Sequence, residues 1–458
     1  MRKDQVYIAN VSTFPPRRCG IGSFAKDMIE GIISDPKTRV GEWIVYPIVR
    51  EPGKTVYPPR YRMHIGQEIH QENPKSYESA AQNIVELAKE LRDQGTDIGV
   101  FLNHEYGIFA KHHTRDNAVR FLDILNQGDV ASIVVGHTVL TDTSREDWAQ
   151  KRSVMGDMIE RADKFICITP SARRALMNPQ LYYTERNGQK YTVSRGKLIE
   201  ISHGIPEIDI EEDREDLKRE YGFVRPDGTP KKLFTSAGFL SPSKGLEYVL
   251  GGYAKVLRER EDRDDITYLI AGGTHEEVLR HEGENYRNSL VELAKRENIK
   301  GAVITRDGNR EKITDLYGNP LNNITKANLV FLNTHLSDKE LIRVMKMSDF
   351  GVIGNLGEEQ ISSGPGTYWI SMGRITIATE SPFFKDMEDQ GIGLLVPFRD
   401  SLAYQDRMNH VLDLSQADKE ELEYIASDFG SANTWTINGL KYLNVMLKII
   451  KHKAGKRN

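Results

Sequence analysis

The segment FPPRRCGIGSF (residues 14–24) places Arg17, Arg18, Gly20 and Gly22 between an apolar run, VYIANVS, and a helical pattern, SFAKDMIEGII. Guanidinium groups and unhindered backbone N–H groups at a strand-to-helix turn are what an anion needs. A second segment, SAGFLSPSKGLEYVL, repeats the arrangement. A strand ends at Gly238, a loop carries Ser241, Ser243 and Lys244, and a helix begins near Gly245. There the positive end of the helix dipole and a lysine point charge suit phosphate. Taken alone, either segment also reads as a tight turn with solvated cations.

Other reactive side chains stand at the ends of apolar runs. Asn103, His104 and Glu105 follow IGVFL, His137 and Thr138 follow VASIVVG, and His203 lies in SHGIP. A lone histidine also reads as a satisfied structural donor, and His203 as a hinge residue. The stretch EEQISSGPGTYWISMGR carries Glu358 and Glu359, then Ser362, Ser363, Gly364 and Gly366, whose hydroxyls and backbone amides could meet phosphate. Asp262 and Asp264 form a D-x-D, but inside the charged run REREDRDD they read as a solvated loop. Cys19 and Cys167 are the two cysteines; they offer neither a disulfide framework nor a cysteine metal site, which suits a reducing compartment.

These residues need elements to hold them. Strand candidates are VYIANVS, WIVYPIV, IGVFLN, VASIVVGH, KFICIT and LIEIS, then KLFTSAG, ITYLIAGG, LVFLN, FGVIGN, RITIAT and GLLVPF. Strands without polar interruption, separated by helical stretches, predict parallel sheets covered on both faces, and 458 residues are too many for one core. The expected fold is α/β: two Rossmann-like doubly wound domains in succession. The first runs over 1–205 and the second over 206–435, with a boundary in SHGIPEIDIEEDREDLKREYG. The polar segment KGAVITRDGNREKITDLYGNPLNNITKAN reads as a surface insertion with a hairpin as one form. The amphipathic stretch from about 436 to 458 reads as a helix packing back on the first domain; contact of its basic tail with a membrane surface is the lesser alternative.

A net charge of -4 gives no bulk reason to bind nucleic acid. No stretch approaches the ~20 apolar residues of a membrane span, and MRKDQVYIAN has no signal-peptide core. The expectation is a cytoplasmic protein.

SPSKGLEYVLGGYAKVL resembles the donor-binding loop of the retaining glycosyltransferases of family GT4, which have the GT-B fold, and FPPRRCGIGSFAKDM resembles the first glycine-containing loop of that family. NHEYGIF, GHTVL, AGGTHEEVLRHEGENYR and EEQISSGPGTYWISMGR extend the likeness to a bacterial subgroup over most of the chain. The resemblance implies a donor and an acceptor meeting in a cleft between two Rossmann-like domains. It implies that Gly20, Gly22, Ser243, Lys244, Glu358, Ser362, Ser363 and Gly364 bind the nucleotide-sugar donor. His137, Lys244 and Glu359 would be catalytic, with His137 on the transferring sugar and Lys244 on the diphosphate. Arg17, Arg18, His104 and Glu105 would line the acceptor side.

Two departures from the family pattern stand out. Phe239 occupies the place where many members carry a phosphate-binding arginine, which Arg17, Arg18 or Arg280 would then replace. Gln360 and Tyr368 occupy the places of two glutamates. The reaction implied is transfer of a hexose from GDP-mannose or a UDP-sugar to a saccharide, lipid-linked or other hydroxyl acceptor, with retention and with no metal or cofactor. The other readings are a GT4-like phosphorylase and a non-catalytic sugar- or nucleotide-binding relative.

Overall fold

The computed structural model describes residues 5–17, 19–35, 38, 40–109, 117–140, 148–186, 189–208, 211–307 and 310–457. Two compact units divide the chain. The first comprises Met1–Gly204, Glu359–Ser362 and Asn433–Asn458; the second comprises Ile205–Glu358 and Ser363–Ala432.

In the first unit the strands are β1 (Val6–Ser12), β2 (Val40–Val49), β3 (Met63–Ile65), β4 (Ile69–His70), β5 (Ile98–His104), β6 (Ala131–Gly136), β7 (Lys164–Cys167), β8 (Tyr183–Arg186), β9 (Gln189–Thr192) and β10 (Leu198–Glu200). The main sheet runs β10-β7-β6-β5-β1-β2-β3, with β4 also on β2, and these pairs are parallel. β5 and β6 are buried at every residue, as mostly apolar strands inside a parallel sheet are. β8 and β9 form a separate antiparallel hairpin.

Helix Gly20–Ser34 buries Phe24, Met28 and Ile32 at helical spacing. Helix Trp435–Arg457 belongs to this unit and buries Trp435, Tyr442, Leu443, Met446, Ile449 and Ile450 in the same core. Its basic end is spent on carboxylates of the unit. Lys453 pairs with Asp129 and Asp163 at 3.4 and 3.3 Å, and Arg457 pairs with Asp129 at 3.0 Å and with Asp97. Two cations that a membrane surface would use are therefore already neutralised.

The second unit contains β11 (Lys232–Ala237), β12 (Ile266–Ala271), β13 (Gly301–Asp307), β14 (Arg310–Asp315), β15 (Leu329–Asn333), β16 (Phe350–Ile353), β17 (Ile375–Thr379) and β18 (Leu394–Val396). Their order is β14-β13-β15-β12-β11-β16-β17-β18, parallel except for the β13–β14 hairpin at one edge. That hairpin is the form taken by the polar segment in the second half. The Asp315 carboxylate closes the turn after it by accepting from the backbone N–H groups of Tyr317 and Asn319.

Candidate functional site

The first sheet reverses its strand order between β1 and β5, and the second does so between β11 and β16, besides the irregular β13–β15 step beside its edge hairpin. Loops leaving the carboxyl ends of strands at such a point diverge to opposite faces and leave a crevice where ligands bind. In the second unit these loops are Gly238–Gly245 and the stretch Gly354–Glu358.

The first of these loops folds tightly. Pro242–Lys244 makes a single 3-10 turn, Ser241 and Ser243 hydroxyls lie 2.8 Å apart, and the Ser243 carbonyl accepts from the Leu356 N–H at 2.8 Å. Gly245 takes φ 55°, and a Cβ there would sit 2.4 Å from the Gly354 carbonyl oxygen, so only glycine fits. The helix begins at Leu246, and its first N–H is not open to a ligand: it donates to the Tyr286 hydroxyl at 2.9 Å. What remains is Lys244. Burial pushes its ammonium below the usual lysine range, and among the described residues it has no hydrogen-bond acceptor or counter-charge. Half-buried and without a counter-charge among the described residues, the ammonium is available to an anion.

Beside it, Phe239 stacks on His335 with centroids 5.7 Å apart at 13° and meets His275 edge-on at 5.7 Å. The place where the sequence resemblance expects an arginine is thus filled by an aromatic and imidazole cluster. Arg280 lies exposed on the short helix Glu276–Glu282.

The loop after β16 separates the residues that the sequence grouped. Glu358 is exposed and paired with Arg399 at 3.2 Å in the second unit. Glu359 and Ser362 fall with the first unit, where Ile361 between them is wholly buried in the core. Ser363 is buried, and its hydroxyl is used as the cap of helix Gly364–Ser371, accepting from the Gly366 N–H at 3.1 Å. In that bond the hydroxyl accepts, so it serves the helix cap with its oxygen. Gly364 is exposed with open space around its Cβ position, and Tyr368 is half-buried on the same helix. The Gln360 side-chain oxygen is buried without a hydrogen-bond partner.

In the first unit, helix Gly20–Ser34 starts one residue after Cys19, which supplies no side-chain cap. Ser23 lies inside the helix and is exposed. Gly20 is exposed and has open space at its Cβ position, so backbone there is approachable. Gly22 answers to packing instead: a Cβ would lie 3.3 Å from both Cα and N of Phe14. Arg17 is half-buried and anchored by neutral oxygens. Its guanidinium donates to the Ile48 carbonyl at 3.0 Å and to Gln71 Oε1 at 2.8 Å, tying the turn to the end of β2. Arg18 lies outside the described residues.

Across the switch point, His104 is fully buried at the end of β5, edge-on to Tyr106 at 5.0 Å and stacked on Phe109 at 5.2 Å. Glu105 accepts a hydrogen bond from the Thr138 hydroxyl. His137 follows β6, with Nε2 3.0 Å from Asn103 Oδ1 and its ring edge-on to Phe24 at 4.4 Å. Burial, with His203 and His104 nearby, holds its pKa down at about 3, so the ring is neutral at ordinary pH. His203 also packs on Phe24 and Trp435, and burial takes it down to about 4.

The structure thus brings Asn103, His104, Glu105, His137 and Thr138 together in the first unit. Asn103 stands out in the sequence only by its place at a strand end, and nothing there pairs its amide with His137. Asp262, of the D-x-D, bonds Arg260 at 2.7 Å. Among the described residues no group of three or more His, Cys, Asp or Glu side chains is placed to hold a metal ion, and no helix is long and apolar enough to cross a membrane.

No protein-family model and no curated protein matches the sequence. Solved structures do match the fold along its whole length. A glycosyltransferase from Rickettsia africae superposes with a TM-score of 0.65 at 12% identity, covering 98% of this chain and 99% of that one. Anabaena HepE, solved in complex with UDP, gives 0.63 at 10%, covering 97% and 100%. An α,α-trehalose-phosphate synthase (UDP-forming) from Burkholderia xenovorans, solved with glucose-6-phosphate, gives 0.64 at 11%, covering 97% and 100%. Identities this low carry the architecture and not the activity. The fold is that of the GT-B glycosyltransferases.

Proposed function

We propose that the chain is a retaining glycosyltransferase of GT4 type that moves a hexose from a nucleotide sugar to a saccharide or other hydroxyl acceptor. The observation that carries this reading is Lys244, a half-buried ammonium without a counter-charge among the described residues, set at the β11–β16 strand-order reversal of a GT-B fold. A diphosphate supplies the missing charge, and the same ammonium stabilises the negative charge that grows as the nucleoside diphosphate leaves. With the Lys244 ammonium in that role, the reaction as proposed needs no resident metal or cofactor. His137, Glu105 and His104 would act on the sugar side, and Gly20 would give the sugar a backbone to approach.

Between the donors considered, a UDP-sugar is favoured over GDP-mannose, because similar folds have been solved with UDP. Two free cysteines fit the reducing interior of a cell as the place of work. The Phe239 cluster and Tyr368 favour one competing reading, a relative that binds sugar or nucleotide without turnover.

The test is thermal stability with UDP, GDP, ADP and inorganic phosphate, followed by a transfer assay with the nucleotide that binds. A ligand at a hundred times its dissociation constant adds about 2.7 kcal/mol, which is readily seen. A shift with UDP followed by hexose transfer supports the proposal. A shift with phosphate alone points to a phosphorylase, and nucleotide binding with no transfer to any acceptor points to the non-catalytic relative.

A further inference from the structure

A row of buried polar side chains crosses the carboxyl ends of three neighbouring strands of the first unit. Asn10 and Ser12 share one face of β1, because side chains alternate along a strand. The register sets Asn10 beside Phe101 and Val11 beside Leu102, which puts Asn103 of β5 on that same face. Asn103 in turn lies beside Val135 of β6, and His137 follows two residues on. Asn10, Ser12 and Asn103 are wholly inaccessible and His137 is 5% exposed.

The bonds within the row run in one direction. Ser12 Oγ lies 2.7 Å from the Thr13 carbonyl oxygen and 2.9 Å from Asn10 Nδ2. Asn103 Nδ2 is 2.9 Å from Asn10 Oδ1, and Asn103 Oδ1 is 3.0 Å from His137 Nε2. A carbonyl can only accept, so the Ser12 hydroxyl spends its one proton on Thr13. Ser12 can then only accept from Asn10, which must turn its NH2 toward Ser12 and its oxygen toward Asn103. Asn103 therefore gives its NH2 to Asn10 and its oxygen to His137. His137 has to carry its proton on Nε2, and Nδ1 keeps a lone pair that no described residue engages.

We infer that Asn10 and Asn103 are positioning residues that fix His137 as the Nε2–H tautomer, so that the ring offers Nδ1 as a hydrogen-bond acceptor to a hydroxyl of the bound sugar. The sugar rests on the function proposed above; the tautomer does not. A protonated imidazole would donate from both nitrogens and accept from neither. Phe24 edge-on to the ring and the buried surroundings hold it neutral and in one plane. An orienting group that sets a histidine tautomer without touching substrate is an arrangement with large kinetic leverage.

The experiment is imidazole 15N–1H NMR on the full chain, with His137→Gln identifying the His137 signals. The expected result is a slowly exchanging Nε2–H proton and an unprotonated Nδ1. Asn103→Leu should abolish the slow proton, and Asn10→Leu should speed its exchange. Asn10→Asp should retain it, since a carboxylate oxygen still accepts from Asn103. Ser12→Ala, a milder change, should also speed the exchange if the leucine variants do not fold. A proton on Nδ1 in the unaltered protein, or indifference of the Nε2–H proton to Asn103→Leu or Ser12→Ala, overturns the inference. In the transfer assay Asn103→Leu should lower kcat by roughly tenfold or more, with nucleotide Kd held within about twofold. A released tautomer with unchanged kcat overturns the assignment of His137 to the sugar while the tautomer relay stands.

Discussion

At the scale of single residues, the site is built from groups held away from their preferred states. Lys244 is a charge without a partner among the described residues, so its removal should relieve burial cost while losing ligand. Lys244→Ala is expected to leave the melting temperature unchanged or raised and to weaken nucleoside diphosphate binding by roughly tenfold or more, read by calorimetry. Unaltered affinity would remove Lys244 from the site.

His137 and His203 are the reverse case, neutral groups that resist charging. Their folded pKa values, about 3 and about 4, lie below the ordinary 6.5. From pH 6.5 downward the unfolded chain takes up protons that the folded chain refuses, so stability falls with pH over that window. Each histidine contributes about 1.4 kcal/mol per pH unit there. Urea midpoints should drop between pH 7 and pH 5, and the double variant His137→Gln/His203→Gln should show a flatter decline.

At the scale of elements, the two glycines of GIGSF have different reasons to be glycine. Gly22→Ala should destabilise by about 1 kcal/mol or more, because the neighbour at 3.3 Å is the Phe14 backbone and cannot swing aside. Gly20→Ala meets nothing within 4 Å and starts a helix, where alanine is the better residue. Its stability should hold or rise, while hexose transfer falls if the sugar approaches that backbone. Chemical denaturation paired with an activity assay separates the two, and a destabilised Gly20→Ala would contradict the open space seen there.

At the scale of the molecule, the first unit is discontinuous in sequence. Helix Trp435–Arg457 supplies Trp435, Tyr442, Leu443 and Met446 to its core, each nearly or wholly buried. At about 1.5–3 kcal/mol for each large buried side chain, their loss approaches or exceeds the whole stability of an ordinary domain. A chain ending at Ala432 is therefore expected to lose the cooperative unfolding transition of the first unit, as followed by near-ultraviolet circular dichroism. A fragment 1–204 that folds by itself would contradict this.

How much of this could be read beforehand follows from where each signal resides. VYIANVS and LVFLN matched their strands end to end, because a strand buried on both faces is mostly apolar and such a run stands out even with Asn10 and Ser12 inside it. The hairpin Tyr183–Arg186 with Gln189–Thr192 escaped notice for the opposite reason: β9 is exposed at every residue and carries no apolar pattern. Met63–Ile65 and Ile69–His70 are too short to show a period.

The sequence by itself determined the α/β class, the loops that reach the two strand-order reversals, and the presence there of Lys244, His137 and small residues. Local composition and period suffice for that, because they depend only on neighbours along the chain. Only the tertiary structure decided what each residue is free to do. It tied Arg17 to Ile48 and Gln71, used Ser363 as a cap, paired Glu358 with Arg399, and aligned Asn10, Asn103 and His137 in one directed row. Apart from the Ser363 cap, those outcomes are set by partners tens of residues away, and a hydrogen bond has no signature in either partner's sequence alone.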